Sequence, residues 1–339
     1  MRSRHSRSPT TSDDSRRSWR TRRARPLSRG TRPRVSDLYD TLVIGGGPAG
    51  LSAALLLGRS RRRVLVVDAG AQRNRRSAAM HGYLTRDGIA PAGFLDLARR
   101  ELAAYPSVEL RNVEAVEADQ ADDGFSVRLA DGTEARSRTL LICTGVVDDI
   151  PVIDGIEALY GRSVHHCPYC DGWEHRDEPI AVFGCGEHAA KYALGMTTWT
   201  ADIVLCTDGP HHYDDDLVAE LDRHAIGIRV EKVVRLEGRE GRLERIVFDD
   251  GEPLARKALF FCTGQRQGSG FAAHFGARFT PHGAVKTGTA ERTAIPGLYV
   301  AGDASKDAQL VIVAAAEGAE AAIAINTELT RRDLAGEGR

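Results

Sequence analysis

Short apolar runs, separated by glycine-rich turns and by alanine- and leucine-rich stretches, occupy most of the chain. Residues 42–44 form one such run, a helical stretch follows to about Gly58, and residues 64–67 form the next run. The same strand–helix–strand order recurs from residues 180–183 to residues 203–206. Short apolar runs are typical of buried parallel strands, and their alternation with helices is typical of α/β folds. The pattern therefore predicts two α/β units in one chain.

Gly45, Gly47 and Gly50 form a Gly-x-Gly-x-x-Gly sequence between the first predicted strand and its helix. In such a turn the first glycine allows the tight bend, the second lets the backbone approach a pyrophosphate, and the third lets helix and strand pack closely. The free N–H groups and the dipole at the helix N-terminus favour the pyrophosphate charge. Asp68 ends the second strand, 23 residues after Gly45, where it is placed to accept from ribose hydroxyls. We predict a dinucleotide-binding unit that uses these four residues and Ala49.

A second copy of this arrangement begins at the strand that precedes Gly184. Gly184, Gly186 and Ala189 form Gly-x-Gly-x-x-Ala, and alanine is tolerated at the third position. Asp208 follows the second strand of this unit, 24 residues after Gly184. The sequence predicts a second dinucleotide site at these four residues.

Three further apolar runs end in short polar pairs. Two of them end in Thr-Gly, at Thr144-Gly145 and at Thr263-Gly264, one behind each glycine-rich turn. The third ends in Gly302-Asp303, ahead of a long alanine-rich helix. An acid at the carboxyl end of a strand is well placed for flavin ribityl or pyrophosphate contacts. We predict cofactor contacts at all three pairs.

The composition is that of an ordinary folded domain without a membrane span. Of the 339 residues, 42% are hydrophobic and 27% are charged, and the length is enough for two domains. No apolar run reaches the roughly 18 residues that a span needs. The longest candidate, residues 311–325, carries Glu317 and Glu320. We predict a helix packed inside the protein there.

Charge is distributed unevenly along the chain. Residues 1–36 hold 12 of the 46 basic residues and two of the 47 acidic residues, a net charge of +10, so the rest carries −11. This arginine- and serine-rich segment has almost no large apolar side chains and cannot bury a core. We predict a disordered tail, either solvated or translated upstream of a start near Val35. A tether to nucleic acid is the alternative, but we do not expect a nucleic acid partner.

Cys167 and Cys170 form the only close pair among six cysteines. The other four lie in or beside apolar stretches, as expected for buried small hydrophobes in a cytoplasmic protein. The pair could be a redox dithiol, a zinc site or inert. His166 and Cys167 are too close in sequence to be independent ligands easily, and no second Cys/His cluster follows at ligand spacing. The position between two nucleotide-binding units therefore favours a redox dithiol over zinc and over a glutaredoxin domain, and we predict no metal site.

The order of these motifs over residues 38–330 resembles the low-molecular-weight thioredoxin reductases. Two nested dinucleotide units, with Cys-x-x-Cys-Asp-Gly at residues 167–172 just ahead of the second glycine-rich turn, carry the resemblance. It implies an α/β fold of two nested Rossmann-like domains, FAD in the first and NAD(P)H in the second. It further implies a homodimer, and a domain rotation that alternates the partner of the flavin.

The predicted domain boundaries follow from this layout. A tail at residues 1–36 precedes the first part of the FAD domain at residues 37–151, and the pyridine nucleotide domain is inserted at residues 152–283. The second part of the FAD domain spans residues 284–330, and residues 331–339 form a short tail.

The resemblance also implies roles at the cysteine pair. Cys170 would face the flavin, Cys167 would be its partner, and Asp171 would exchange protons with the thiols. A helix start lowers thiol pKa values. The alternative for Asp171 is a helix N-cap. His165 and His166 could tune the thiols, although solvated or core histidines are the simpler interpretation.

Two departures from the family pattern change the expected function. Where the family places His-Arg-Arg to bind the NADPH phosphate, this chain has Thr207-Asp208-Gly209, so we expect NADH to be preferred. Gln309 stands where Arg-Gln-Ala touches the flavin, and residues 73–88 replace the usual flavin-proximal stretch. In this second respect the sequence is similar to the divergent branch of the family that contains dithiol oxidases.

Three functions remain open from the sequence. In the favoured one, electrons pass from NAD(P)H through FAD and the cysteine pair to a disulfide in a thioredoxin-like protein or a small molecule. In the second, a small dithiol metabolite is oxidised and oxygen accepts the electrons. In the third, the chain is a non-enzymatic flavin sensor.

Overall fold

The computed structural model describes residues 38–122 and 124–336. The arginine-rich segment and the predicted start near Val35 lie outside the described residues. The strands are β1 Tyr39–Ile44, β2 Val64–Val67, β3 Val108–Arg111, β4 Ala115–Ala121, β5 Gly124–Leu129, β6 Glu134–Ile142, β7 Val146–Asp148, β8 Val164–His165, β9 Ile180–Phe183, β10 Ile203–Cys206, β11 Gly227–Arg229, β12 Val233–Arg239, β13 Arg242–Phe248, β14 Leu254–Ala255, β15 Ala258–Phe261, β16 Gln265–Gln267 and β17 Leu298–Val300.

Eight α-helices and two 3-10 helices connect these strands within the described residues. The α-helices are α1 Pro48–Arg59, α2 Pro91–Leu102, α3 Ile156–Leu159, α4 Pro168–Asp171, α5 Gly186–Met196, α6 Asp215–Arg223, α7 Phe271–His274 and α8 Val311–Leu334. The 3-10 helices are Trp173–His175 and Thr289–Glu291. No helix in this described part of the chain is long and apolar enough to cross a bilayer.

The first sheet has the strand order β3-β2-β1-β6-β5-β4. Strands β3, β2, β1 and β6 run parallel, and β5 and β4 add an antiparallel hairpin. The long strand β6 pairs with β5 along its first half and with β17 along its second half, at Leu298↔Leu140. The polar ends of β6 and β17 therefore lie side by side at one edge of the sheet.

The second sheet is fully parallel, with the order β11-β10-β9-β15-β8. Its two central strands, β9 and β15, are entirely buried. Helix α5 follows β9 directly, and β10 occupies the predicted residues 203–206. The predicted α/β architecture with two Rossmann-like units is confirmed.

Two segments connect the first sheet with the second. Strand β7 lies in one of them and β16 in the other, and the two strands pair as an antiparallel ribbon. Past this ribbon, Ala272 and Ala277 pack in the same core as β1 and β6. The predicted boundaries at residues 152 and 283 stay predictions, but this packing favours a return to the first unit near residue 268. Helix α8 also continues to Leu334, beyond the predicted end of the domain at residue 330. In this last turn, Asp333 Oδ2 lies 2.6 Å from Arg62 Nη1.

Candidate active site

The first glycine-rich turn has the geometry that its sequence predicted. Gly45 has a φ of +112°, and a Cβ there would lie 2.3 Å from the carbonyl oxygen of Cys143. A Cβ on Gly50 would lie 1.9 Å from the carbonyl oxygen of Gly45. Gly47, in contrast, has no neighbouring atom within 4 Å of its would-be Cβ. Two glycines thus permit close backbone packing, and Gly47 leaves space in front of the helix.

A cavity of about 340 Å³ begins at this space and follows the carboxyl edge of the first sheet. Its walls include eleven of the residues that the sequence predicted to form sites, namely Gly45, Gly47, Ala49, Asp68, Thr144, Gly145, Cys170, Asp171, Gly302, Asp303 and Gln309. Open space over Gly47 at the start of α1 suits a pyrophosphate. The residues present therefore fit FAD.

Asp68 lies at the end of β2 with its carboxylate held from several sides. Gly70 N donates to Oδ1 at 3.1 Å, and Gln72 Nε2 and Arg99 Nη2 contact Oδ2 at 2.8 and 2.9 Å. A Cβ on Gly46 would lie 2.7 Å from that same Oδ2. The carboxylate is thus fixed against the turn, where an adenosine ribose of FAD would lie.

Arg73 joins three side chains at the other end of the cavity. Its Nη1 donates to Asp303 Oδ2 at 3.0 Å and to Gln309 Oε1 at 2.6 Å. Its Nε donates to both carboxylate oxygens of Asp148 at 3.1 and 3.0 Å. Burial raises the pKa of Asp148, but the hydrogen bonds and charge of Arg73, the neighbouring His166 and the hydrogen bond from Tyr160 together hold that pKa below its usual range. Arg73 therefore links β7 to the residues at the end of β17.

Sequence reasoning did not assign site roles to Arg73 or Asp148. Both lie in segments without hydrophobic periodicity, so no local pattern marks them. His166 was considered only as a neighbour of the cysteines, yet it lines the cavity. Burial, together with the Arg73 charge, lowers the pKa of His166 to about 4. Its imidazole is therefore neutral at pH 7.

Cys167 and Cys170 form a disulfide across the start of α4. Cys167 is the N-cap residue, and Asp171 N donates to its carbonyl oxygen at 3.3 Å. Cys170 lines the cavity with the glycine-rich turn. At Gly172 a Cβ would lie 2.8 Å from the ring of Trp199, which explains a glycine directly after the Cys-x-x-Cys-Asp sequence. The disulfide therefore lies at the wall of the cavity.

Asp171 is the last residue of α4 and not an N-cap, so the N-cap alternative is wrong. Its Oδ1 lies 3.2 Å from Nδ1 of His165, whose side chain is only 4% exposed. His165 belongs to β8 and is a buried, partnered histidine. Among the described residues, no group of three or more His, Cys, Asp or Glu side chains is arranged to hold a metal ion.

The second glycine-rich turn lies away from the cavity, at the end of β9. A Cβ on Gly184 would lie 2.6 Å from Sγ of Cys262 and 3.2 Å from Cβ of Ala189. Gly186 has a φ of +72° and no atom within 4 Å of its would-be Cβ. The close packing and the open space repeat the features of the first turn. The residues present fit a second dinucleotide.

Three other predicted contact residues have structural partners in this unit. Val233 N donates to Asp208 Oδ1 at 2.8 Å, which ties one carboxylate oxygen to β12. The Thr263 hydroxyl donates to the carbonyl oxygen of Asp149, and Asp149 N donates to the carbonyl oxygen of Gly264 at 3.0 Å. Thr263 and Gly264 therefore anchor the connection beside β7.

Known proteins resemble this chain in sequence and in fold. A model of the pyridine nucleotide-disulphide oxidoreductase family matches residues 39–318. The chain is 29% identical over 324 residues to a probable thioredoxin reductase of Arthroderma benhamiae, covering 86% of this chain and 80% of the relative. It is 31% identical over 280 residues to thioredoxin reductase tcpT of Claviceps purpurea, covering 79% and 87%. The crystal structure of the putative thioredoxin reductase TrxB from Bacillus anthracis matches with a TM-score of 0.82 and 31% identity, covering 87% of this chain and 99% of that one.

The chain therefore belongs to the pyridine nucleotide-disulphide oxidoreductase family. Within it the protein is thioredoxin reductase-like, an NAD(P)H-dependent flavoprotein enzyme that acts on disulfides. The resemblance stated from the sequence is confirmed, and the family implies FAD and a pyridine nucleotide.

Proposed function

We propose that the protein transfers electrons from a reduced pyridine nucleotide, through FAD, to the Cys167–Cys170 disulfide and then to an external disulfide. The observation that carries the proposal is that Cys170 lines the same cavity as Gly47 and Asp303. A flavin held by those residues would lie next to the disulfide. FAD, when bound, accepts a hydride from the nucleotide and passes two electrons to sulfur.

The protein residues supply positioning and proton transfer. Cys167 and Cys170 alternate between disulfide and dithiol, and the start of α4 favours their thiolate forms. Asp171 follows Cys170 directly and is only partly exposed, with 20% of its side chain accessible. We propose that its carboxyl group gives a proton to, or takes one from, the exchanging sulfur.

Aromatic side chains beside the disulfide suit an external substrate. Tyr169 lies between the two cysteines and is 78% exposed, and Trp173 is 65% exposed. Exposed aromatic side chains of this size are enriched where proteins bind partners. We propose that they contact a thioredoxin-like protein or a small disulfide. The relatives are named thioredoxin reductases, which supports the protein substrate.

NADH preference is a further proposal. It rests on the absence of arginine from residues 207–209 and on the acid at Asp208. Among the described residues, Val233 N donates to Oδ1 of Asp208, and we propose that Oδ2 binds a ribose diol. A different feature favours the second candidate function, oxygen-dependent oxidation of a small dithiol: residues 73–88 and the surroundings of Gln309 depart from the family pattern.

We also propose a homodimer, because the family resemblance implies one. Light scattering on the purified full chain checks the mass, and a monomer at all concentrations contradicts the dimer. The cytoplasmic location stays a prediction.

The Cys170→Ser variant tests the redox role of the disulfide. We expect the purified variant to keep its FAD, because Cys170 contributes one wall of a large cavity, and to lose disulfide reduction with NADH or NADPH. Cys206→Ala, a change at a buried cysteine in β10, is the matched control and should retain turnover. Full activity in Cys170→Ser would contradict the proposed function.

A further inference from the structure

Four titratable side chains form a continuous chain that starts at Asp171. Asp171 Oδ1 lies 3.2 Å from His165 Nδ1, and His165 Nε2 lies 3.1 Å from His175 Nε2. His175 Nδ1 lies 3.0 Å from Glu178 Oε2. The two contacts of His175 are hydrogen bonds, and the Asp171–His165 separation is that of a close ion-pair contact. Both nitrogens of each imidazole are thus occupied by the next group in the chain.

These four side chains connect the cavity with solvent. Asp171 lines the cavity, while Glu178 at the other end has 42% of its side chain exposed. Between them, His165 is 4% exposed and His175 is 13% exposed. Phe260 packs against both imidazoles, with ring centroids 5.3 Å from His165 and 6.1 Å from His175. The buried imidazole of His165 and the half-buried imidazole of His175 therefore bridge this region beside an apolar ring.

The four residues are close together in the sequence. His165 ends β8, which pairs with β15 through Phe260, and Asp171 ends α4. His175 ends the 3-10 helix Trp173–His175, and Glu178 follows just before β9. The chain is thus built from the same segment that carries the redox disulfide.

We propose that His165, His175 and Glu178 relay protons between solvent and Asp171 during dithiol–disulfide exchange. This inference rests on the proposed redox function of Cys167 and Cys170. The three relay residues act through Asp171 and do not themselves touch the reacting sulfurs, so they are positioning and proton-transfer residues.

The proton balance fits the observed contacts. With hydrogen on Nδ1 of His165 and on both nitrogens of His175, every contact in the chain has one donor and one acceptor. When the Nδ1 proton of His165 moves to Asp171 and the Nε2 proton of His175 moves to His165, Asp171 becomes a neutral acid and both imidazoles are neutral. Asp171 then gives its proton to the departing thiolate, so one O–H bond breaks and one S–H bond forms. Proton uptake at Glu178 and exchange of the imidazole tautomers restore the start.

The reverse shift serves dithiol oxidation, in which Asp171 takes a proton from a thiol as the disulfide closes. The relay is therefore useful in either direction of electron flow. Two other titratable groups, His166 and Arg73, line the cavity, and both contact Asp148. They do not lie between Asp171 and Glu178.

A His175→Ala variant interrupts the relay and leaves space for free imidazole. The measurement is the anaerobic rate at which a small dithiol bleaches the flavin of the purified holoenzyme. General acid–base catalysis contributes on the order of 10²–10⁴-fold, and we expect His175→Ala to slow this step at least tenfold, with recovery when imidazole is added. His224→Ala, a change at an exposed histidine outside this segment, should match the unchanged protein.

Bleaching by NADH or NADPH is the internal comparison, because hydride transfer to the flavin does not use Asp171. We expect that rate to stay within about twofold in His175→Ala. If His175 only stabilised the local structure, the variant would lose dithiol rate and added imidazole would not restore it. An unchanged dithiol rate, or a slow rate without recovery, would overturn the relay.

Glu178→Gln provides a second test if His175→Ala fails to bind FAD. The change is at the exposed end, so folding should be preserved, and the dithiol step should slow several-fold while Glu220→Gln, at another exposed site, has no effect. An unchanged rate in Glu178→Gln would then overturn the relay. The outcome is separable from the proposed reductase function, which fails if neither NADH nor NADPH bleaches the flavin of the unchanged protein.

Discussion

Cys170 and Asp171 are adjacent on α4 and have different surroundings. Cys170 is bonded to Cys167 and lines the flavin cavity, whereas the carboxylate of Asp171 contacts the buried His165. A short helix thus places the sulfur of Cys170 and the carboxylate that we propose as its proton partner at the wall of one cavity, while each keeps a separate contact. The proposed chemistry depends on this pair more than on any other two residues.

Substitution of Asp208 tests the nucleotide proposal at the scale of one residue. Asp208→Arg replaces an acid by a cation that can bind a ribose phosphate, and opposite charges about 4 Å apart interact by roughly 4 kcal/mol at an effective dielectric of 20. We expect the ratio of kcat/KM for NADPH to that for NADH to rise by at least tenfold. Asp250→Arg, a change in the loop after β13, serves as the control. An unchanged ratio would mean that Asp208 does not contact the ribose.

Glu317 should make stability depend on pH. Burial raises the pKa of Glu317 to about 7, and its Oε2 accepts from Gly302 N at 2.8 Å. The pKa of Glu317 in the folded state lies above its value in the unfolded state. The contribution of Glu317 to the free energy of unfolding is therefore fully present below about pH 4.5 and is lost as the pH rises through about 7.

The Glu317→Gln variant removes that titration. We expect the loss of unfolding free energy between pH 5 and pH 7.5 to be smaller in the variant by about 2 kcal/mol. Urea unfolding of the holoenzyme at both pH values measures it, with Glu320→Gln as the exposed control on the same helix. The same pH dependence in Glu317→Gln and in the unchanged protein would contradict a raised pKa.

At the scale of elements, the crossing of α1 and α8 supports the glycine-rich turn that we predict to hold FAD. A Cβ on Gly318 would lie 2.0 Å from the carbonyl oxygen of Ala49, within the glycine-rich turn that opens α1. Gly318→Val should therefore push α8 away, lower the unfolding free energy by about 1–3 kcal/mol and weaken FAD binding. Ala316→Val, on the exposed side of α8, is the matched control. Equal thermal stability and FAD content in both variants would show that the crossing tolerates a side chain.

The elements were largely predictable because their patterns are local. The glycine-rich turns, the apolar strands and the long helix each carry their own periodicity, and β2 and β10 occupy the predicted residues. Arg73 and Asp148 could not be predicted as a pair, since 75 residues separate them and only the fold brings them together. The contact between Asp171 and His165 escaped prediction for a related reason, because it depends on how β8 and α4 meet.

The two predicted nucleotide units contact each other through polar side chains near the disulfide. Arg76 pairs with Glu157 of α3, and His81 Nε2 lies 3.4 Å from Glu174 Oε1. These contacts favour the arrangement in which Cys170 lines the flavin cavity. The rotation that the family resemblance implies would have to break them before a nicotinamide could reach the flavin.

The combined Glu157→Gln and Glu174→Gln variant tests this at the scale of the whole molecule. Exposed pairs are worth about 0–1 kcal/mol each, so we expect flavin reduction by NADH or NADPH to accelerate by up to about fivefold, and the dithiol step to slow. Glu117→Gln, which removes an exposed pair with Arg128 inside the first sheet, should change neither rate. A slower reduction by nucleotide in the double variant would contradict a rotation held back by these contacts.

The most direct test of the central claim is an anaerobic titration of the purified holoenzyme, followed at the flavin absorption band. NADH, NADPH and a small dithiol are added separately, and an external disulfide is added afterwards. We expect NADH or NADPH to bleach the band and the external disulfide to restore it through Cys167 and Cys170. Bleaching by the dithiol alone, with colour returning only in air, would contradict the reductase account and identify an oxidase.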